Sequence, residues 1–189
     1  QSLALRVVAC PAQQRTHGCF NFRLSGGGLG LSDIVRAGRE VLDDGKRYLF
    51  HLRDDLRWTD GKPVTAYDFE YAWKRLLNPA TAAQYAFFLY DVVNAREYNT
   101  GKLKNADLLG IKALDPLTFE VRLSKPAAYF IYLTAFCVSF PMRKDVVERF
   151  GDRWTEPENF VTNGPFKLKH WQHEYKMELS ANPQYFDGP

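Results

Sequence analysis

Several signatures of catalysis and of membrane insertion are absent from this 189-residue sequence. No run of 18 apolar residues exists, so no segment has the length of a membrane-spanning helix. The nucleophile motifs G-x-S-x-G and S-x-x-K are missing, and no cysteine lies in an activating motif. These absences favour binding over catalysis, and we expect the protein not to be an enzyme.

Cysteine is scarce, with three residues at Cys10, Cys19 and Cys137. The spacing of these residues matches no zinc motif and leaves at least one thiol unpaired. V-V-A-C at 7–10 has the small-residue form of a lipoprotein cleavage site, but the apolar stretch before it is short and lacks a positive start. Two interpretations of Cys10 therefore stay open, a lipidated cysteine and an ordinary one.

Charge and glycine patterns give no sign of nucleic-acid or cofactor binding. The 25 Lys and Arg residues exceed the 22 Asp and Glu residues by only three and are scattered along the chain, whereas nucleic-acid binding needs a concentrated basic face. The glycine-rich stretch at 25–32 lacks both the G-K-[ST] ending and the G-x-G-x-x-G fingerprint, which favours a flexible linker.

His170 and His173 are the histidines whose spacing raises the question of a metal site, but they lack an H-E-x-x-H motif. We expect no cofactor and no metal.

What the sequence does contain is the composition of a folded protein, with 46% hydrophobic and 15% aromatic residues. Its length suits one domain or one lobe of something larger. In the segment 47–53, apolar and polar residues alternate, which predicts a half-buried strand that begins after an Asp-Asp-Gly turn.

The segment RWTDGKPVTAYDFEYAWKRLLNP at 57–79 combines residue types that could form a catalytic site. Its spacing favours a structural role instead. Asp60 and Gly61 form a turn signal, and Thr65 with Asp68 resembles a capping box at the start of a helix. Apolar residues then recur on one helical face until Asn78 and Pro79 end the helix.

Further along the chain, the pattern predicts a second helix from about Thr81 to Tyr98 with Gly101 as its C-terminal stop. A hairpin around Asp115 and Pro116 follows, and then come two helical segments between 126 and 150. Two strands are predicted at 165–171 and 175–180. This order of elements predicts an α+β fold.

The order of these motifs closely resembles the oligopeptide-binding proteins, which are the family 5 extracytoplasmic solute-binding proteins of peptide and nickel ABC importers. The blocks that carry the resemblance lie within residues 40–186, at 40–79, 108–130 and 150–171. The resemblance implies a class II periplasmic-binding-protein-like fold of the peptide-binding type. It also implies a partial chain that holds the accessory domain and part of the first lobe and lacks the second lobe.

On this resemblance we expect three regions. Residues 1–39 are an unassigned N-terminal segment with a glycine-rich linker, and they depart from the family pattern. Residues 40–160 would form the accessory domain of the first lobe. Residues 161–189 would begin the chain's return into that lobe.

The implied function is that of the substrate-binding component of an ABC importer. Such a component captures an extended oligopeptide between two lobes and delivers it to a membrane permease. The implied location is periplasmic or extracytoplasmic, as a monomer that meets the membrane only through the permease or a lipid anchor at Cys10. A ligand-sensing or interaction module attached to another domain is the alternative.

The resemblance assigns one ligand contact that falls within this sequence. Tyr85, in NPATAAQYAFF, stands where oligopeptide-binding members of the family place a tyrosine that touches the ligand. The alternative is that Tyr85 packs the two predicted helices against each other.

Overall fold

The computed structural model describes residues 35–186, with only the backbone described at 35–37. Cys10, Cys19 and the glycine-rich stretch at 25–32 lie outside the described residues, so the predictions made for them stay predictions. Strands and helices are both present in the described part, which confirms the α+β class. No helix within 35–186 has both the length and the apolar character needed to cross a membrane. The predicted domain boundaries stay a prediction.

A four-stranded antiparallel sheet forms one layer of the core. Its strands are β1 (Val35–Leu42), β2 (Arg47–Leu52), β3 (Ile111–Asp115) and β4 (Thr118–Arg122), in the spatial order β1-β2-β4-β3. The alternation predicted for β2 is confirmed, because Tyr48, Phe50 and Leu52 are buried and the residues between them are partly exposed.

The edge strand β1 was missed in the sequence, where no strand was expected before the Asp-Asp-Gly turn. Its sequence, VRAGREVL, is rich in charged residues and does not alternate cleanly. Gly38 adopts a φ of 95°, and the pairing with β2 shifts register between Val35 and Arg39. A bulge of this kind interrupts the period-2 pattern by which a strand is recognised.

Helix α1 (Ala66–Leu77) packs across β3 and β4 on the apolar face of the sheet. The predicted N-terminal cap is present, because the Asp68 carboxylate accepts hydrogen bonds from the Thr65 backbone N–H at 2.8 Å and from the Thr65 hydroxyl at 3.1 Å. The predicted apolar face is also confirmed. Its buried residues are Ala66, Phe69, Ala72, Trp73, Leu76 and Leu77.

Trp73 lies at the centre of this core and is fully buried. Its ring meets Phe119 of the sheet edge-on at 5.2 Å and Phe130 at 6.3 Å between centroids. The indole N–H donates to the backbone carbonyl of Ser139 at 3.0 Å. This single side chain therefore joins α1, the sheet and the segment after Phe130.

The prediction of one continuous helix from Thr81 to Tyr98 is wrong. Ala82 and Asn94 both adopt the left-handed conformation, with φ of 49° and 63°, so a helix cannot run through them. Only α2 (Ala95–Asn99) is helical there, apart from two short 3-10 turns. The predicted stop at Gly101 is confirmed, because its N–H donates to the Tyr98 carbonyl at 3.0 Å with φ at 76°.

The rest of the described chain adds two helices and a hairpin. The apolar segment after Pro126 is helical for only one turn, α3 (Phe130–Leu133). The second helical segment predicted between 126 and 150 is confirmed as α4 (Lys144–Phe150). The two predicted C-terminal strands pair as an antiparallel hairpin of β5 (Phe166–Gln172) and β6 (Lys176–Ala181).

Candidate functional site

Tyr85 lies in the connection between α1 and α2, immediately before a 3-10 turn at Ala86–Leu89. Residues three apart share one face of such a turn. Ala86 and Leu89 use that face to enter the core, with 3% and 1% of their surface exposed. Tyr85 is consequently left half-buried, and Phe87 is 54% exposed.

Phe136 packs against this turn from a distant part of the chain. Its ring meets Tyr85 edge-on, with 6.1 Å between centroids and 87° between planes, and it lies 5.2 Å from Phe88. Phe87 stacks on Phe88 at 4.5 Å. We call Tyr85, Phe87, Phe88 and Phe136 the aromatic cluster.

The backbone around Phe136 is held by Ser139, which is fully buried. The Ser139 hydroxyl lies 2.8 Å from the carbonyl oxygen of Phe136 and 2.6 Å from that of Thr134, and the Ser139 N–H donates to Phe136 at 2.9 Å. Ser139 in turn accepts the indole hydrogen bond of Trp73. The position of Phe136 is thus tied to the centre of the core.

The segment that carries Tyr85 is anchored to the end of α1 by a side-chain relay. The Tyr90 hydroxyl donates to Oδ1 of Asn99 at 2.6 Å, and Nδ2 of Asn99 donates to the carbonyl of Leu77 at 2.9 Å. Both segments of the aromatic cluster are therefore anchored to α1. The Phe136 segment is anchored through Trp73, and the Tyr85 segment through Leu77.

The aromatic cluster offers four rings as a contact surface. Its rings carry no formal charge, and within residues 35–186 no group of three or more His, Cys, Asp or Glu side chains is arranged to hold a metal ion. Aromatic rings provide a large contact area with little loss of side-chain entropy, and half-exposed rings in one patch are typical of binding surfaces. The resemblance names Tyr85 alone, and its role in ligand contact stays a prediction; its contact with Phe136 is a feature of the tertiary fold that the sequence does not show.

The segment that first suggested catalysis at 57–79 has a structural role. Gly61 adopts a φ of 86°, and its N–H donates to the Trp58 carbonyl at 2.8 Å, which confirms the predicted turn. Asp60 has a further partner that the sequence did not reveal. Arg143 Nη1 lies 3.1 Å and 2.9 Å from its two carboxylate oxygens.

Arg143 is only 7% exposed and also forms a two-pronged ion pair with Asp145, at 2.8 Å and 2.6 Å. The hydrogen bonds from Arg143, and secondarily from Lys62, hold the pKa of Asp145 well below its usual range. Asp68 behaves in the opposite way, because burial raises its pKa above the ordinary value. These charges fasten the 58–63 turn to the start of α4.

Within residues 35–186, His170 and His173 belong to no group of three or more side chains that could hold a metal ion. His170 lies in β5, opposite Glu178 of β6. The His173 ring is tilted against Trp171 with 3.9 Å between ring centroids and lies 3.2 Å from a carboxylate oxygen of Glu156. His51 lies on the sheet, 2.7 Å from Glu40.

Comparison with known proteins identifies the family of this chain and the relatives of its fold. Residues 32–189 match the model of the bacterial extracellular solute-binding proteins, family 5. The periplasmic oligopeptide-binding protein OppA of Salmonella typhimurium is 49% identical over 147 residues, which is 77% of this chain and 27% of that protein. The probable deoxycholate-binding periplasmic protein YgiS of Escherichia coli is 42% identical over 79% of this chain and 28% of its own length.

Among solved structures, Haemophilus influenzae OppA in complex with RPPGFSPFR is similar with a TM-score of 0.75 and 42% identity. The match covers 79% of this chain and 29% of that one. The chain thus spans between a quarter and a third of the length of these relatives. Its structural neighbours are periplasmic peptide-binding proteins of the class II type, which confirms the fold expected from the sequence.

Proposed function

The chain belongs to family 5 of the bacterial extracellular solute-binding proteins, and from this premise we propose that it is part of a protein that captures oligopeptides between two lobes and delivers them to the permease of an ABC importer. The identity of 49% with an oligopeptide-binding relative is the observation that carries the proposal. This chain holds only part of the binding site, because it spans 27% of that relative.

Within this part, Tyr85 of the aromatic cluster is the proposed ligand contact. Tyr85 is half-buried, and its neighbour Phe87 exposes 54% of its surface. Rings in this state bury further apolar area when a ligand covers them, and the Tyr85 ring is already ordered by its neighbours.

The remaining assignments follow from the same premise. We propose a location in the periplasm or on the outer cell surface, no catalytic activity, and no cofactor. The permease of the importer would be the protein partner, and the binding protein itself would be a monomer. Lipidation of Cys10 would be a second route to the membrane, and mass spectrometry of the cellular protein tests it.

The test is a binding measurement on the full-length parent protein by isothermal titration calorimetry and thermal unfolding. The probes are the nonapeptide RPPGFSPFR and deoxycholate, because relatives of this chain are named for each class of ligand. We expect the peptide to bind and to raise Tm, since a ligand that binds only the folded state stabilises it by about 2.7 kcal/mol at 100 times Kd.

Tyr85→Ala should weaken peptide binding, and Tyr175→Ala is the matched control. Tyr175 is 65% exposed at the turn of the β5–β6 hairpin, outside the aromatic cluster. Binding of deoxycholate without binding of any peptide in a library would contradict the proposal. An unchanged affinity in Tyr85→Ala would contradict the assignment of the site alone.

A further inference from the structure

Phe136 is a large apolar side chain with 40% of its surface exposed, in a segment that no sequence motif singled out. Its ring lies against two other rings, with centroid distances of 6.1 Å to Tyr85 and 5.2 Å to Phe88. Tyr85 is the side chain that we propose touches the ligand.

The contact geometry restricts how the Tyr85 ring can lie. Phe136 meets this ring at 87°, the edge-to-face arrangement that aromatic quadrupoles favour. Phe88 borders the same ring at 5.8 Å and 43°. The Tyr85 ring therefore has two aromatic neighbours from different segments, one edge-on and one tilted.

The Phe136 ring can restrict its neighbour Tyr85 because the backbone of Phe136 is itself held in place by hydrogen bonds. The buried Ser139 makes hydrogen bonds to the Phe136 carbonyl oxygen through both its hydroxyl and its N–H, at 2.8 Å and 2.9 Å. The Ser139 carbonyl accepts from the indole of the fully buried Trp73 at 3.0 Å. The position of Phe136 is therefore tied to α1, which carries Trp73.

We propose that Phe136 is a positioning residue for peptide binding, which holds the Tyr85 ring in the orientation that contacts the ligand. The inference rests on the proposed function and deepens it by adding a residue that acts through Tyr85. Without the Phe136 ring, Tyr85 would keep its place in the chain but sample more side-chain conformations. The bound peptide would then have to order Tyr85 at a cost in affinity.

The experiment is a double-mutant cycle on the full-length parent protein, with RPPGFSPFR as the probe in isothermal titration calorimetry. Phe136→Leu keeps an apolar side chain and removes the ring, and we expect its Kd to rise about tenfold. Phe136→Tyr restores a ring at the same place and should bind within about twofold of the wild type. In the Tyr85→Ala background, Phe136→Leu should cause no further loss, because the residue through which it acts is gone.

Three results would overturn the inference. The first is an unchanged Kd in Phe136→Leu with a lowered Tm, which shows a structural role only. The second is additive losses in the double variant, which show that Phe136 contacts the ligand independently. The third is a failure of Phe136→Tyr to restore affinity. All three leave the proposed function standing, whereas a wild-type protein that binds no peptide refutes the proposed function and this inference together.

Discussion

Replacement of Trp73 by alanine tests whether α1 is fastened to the sheet in the way described. Trp73 is fully buried, and it contacts Phe119 and Phe130 as well as the Ser139 carbonyl. Truncation removes the ring from all three at once. The truncation therefore weakens the packing of α1 against the sheet and against the segment from Phe130 to Ser139.

The expected loss in the free energy of unfolding follows from these contacts. A buried tryptophan truncated to alanine costs about 3 to 5 kcal/mol, from lost transfer energy and from the cavity left behind. The orphaned Ser139 carbonyl adds about 1 kcal/mol if no water replaces the indole N–H. We expect about 4 to 6 kcal/mol in total, which is close to the whole stability of a domain at the lower end of the usual range of roughly 5 to 15 kcal/mol.

Urea denaturation followed by far-UV circular dichroism measures this loss without relying on tryptophan fluorescence. Trp73→Phe is the matched variant, because it keeps a ring against Phe119 and loses the hydrogen bond, so its cost should be about 1 to 3 kcal/mol. Tyr175→Ala, at a position 65% exposed, should change stability by less than about 0.5 kcal/mol. A loss below about 2 kcal/mol in Trp73→Ala would refute the central role given to this side chain.

Two further predictions concern a charge and a glycine. Asp145→Asn should destabilise the protein by up to about 1 kcal/mol at neutral pH, since this ion pair is partly exposed. The folded state lowers the pKa of Asp145, so its contribution to the free energy of unfolding is complete above the ordinary pKa of 3.8 and is lost as the pH falls further. Urea titrations should therefore show the stabilities of the wild type and Asp145→Asn converging in acid. A stability difference that widens in acid would contradict this. Gly110→Ala should lower the free energy of unfolding by about 1 to 3 kcal/mol, because a Cβ there would lie 2.5 Å from the backbone oxygen of Arg122. Calorimetry measures the effect on Tm. A Tm within about one degree of the wild type would contradict the close packing of Gly110 against Arg122.

The elements that could be predicted from the sequence are those whose signals are local. The capping pair Thr65 and Asp68 marks the start of α1, and strict alternation marks β2. The failed helix at 81–98 shows the limit of such signals. Its residues have helical propensity, but Ala82 and Asn94 take left-handed conformations that nothing in a helical pattern reveals.

The same limit applies to the candidate site. The resemblance names Tyr85, whose ligand contact stays a prediction, but its ring partner Phe136 lies about fifty residues away in another segment. Asp60 was recognised as a turn residue, whereas its ion pair with Arg143 depends on how α4 packs on the turn. Contacts between distant segments leave no periodicity in the chain, so only the folded arrangement discloses them.

The order of strands in the four-stranded sheet has a consequence for how the chain folds. The central pair, β2 and β4, joins the two hairpins β1–β2 and β3–β4, and roughly 65 residues separate its members along the chain. Each hairpin is local and forms quickly, but an isolated two-stranded hairpin is marginally stable in water. Closing the long loop between them therefore becomes the slow step, and α1, which lies inside that loop, supplies the apolar face on which the two halves can meet.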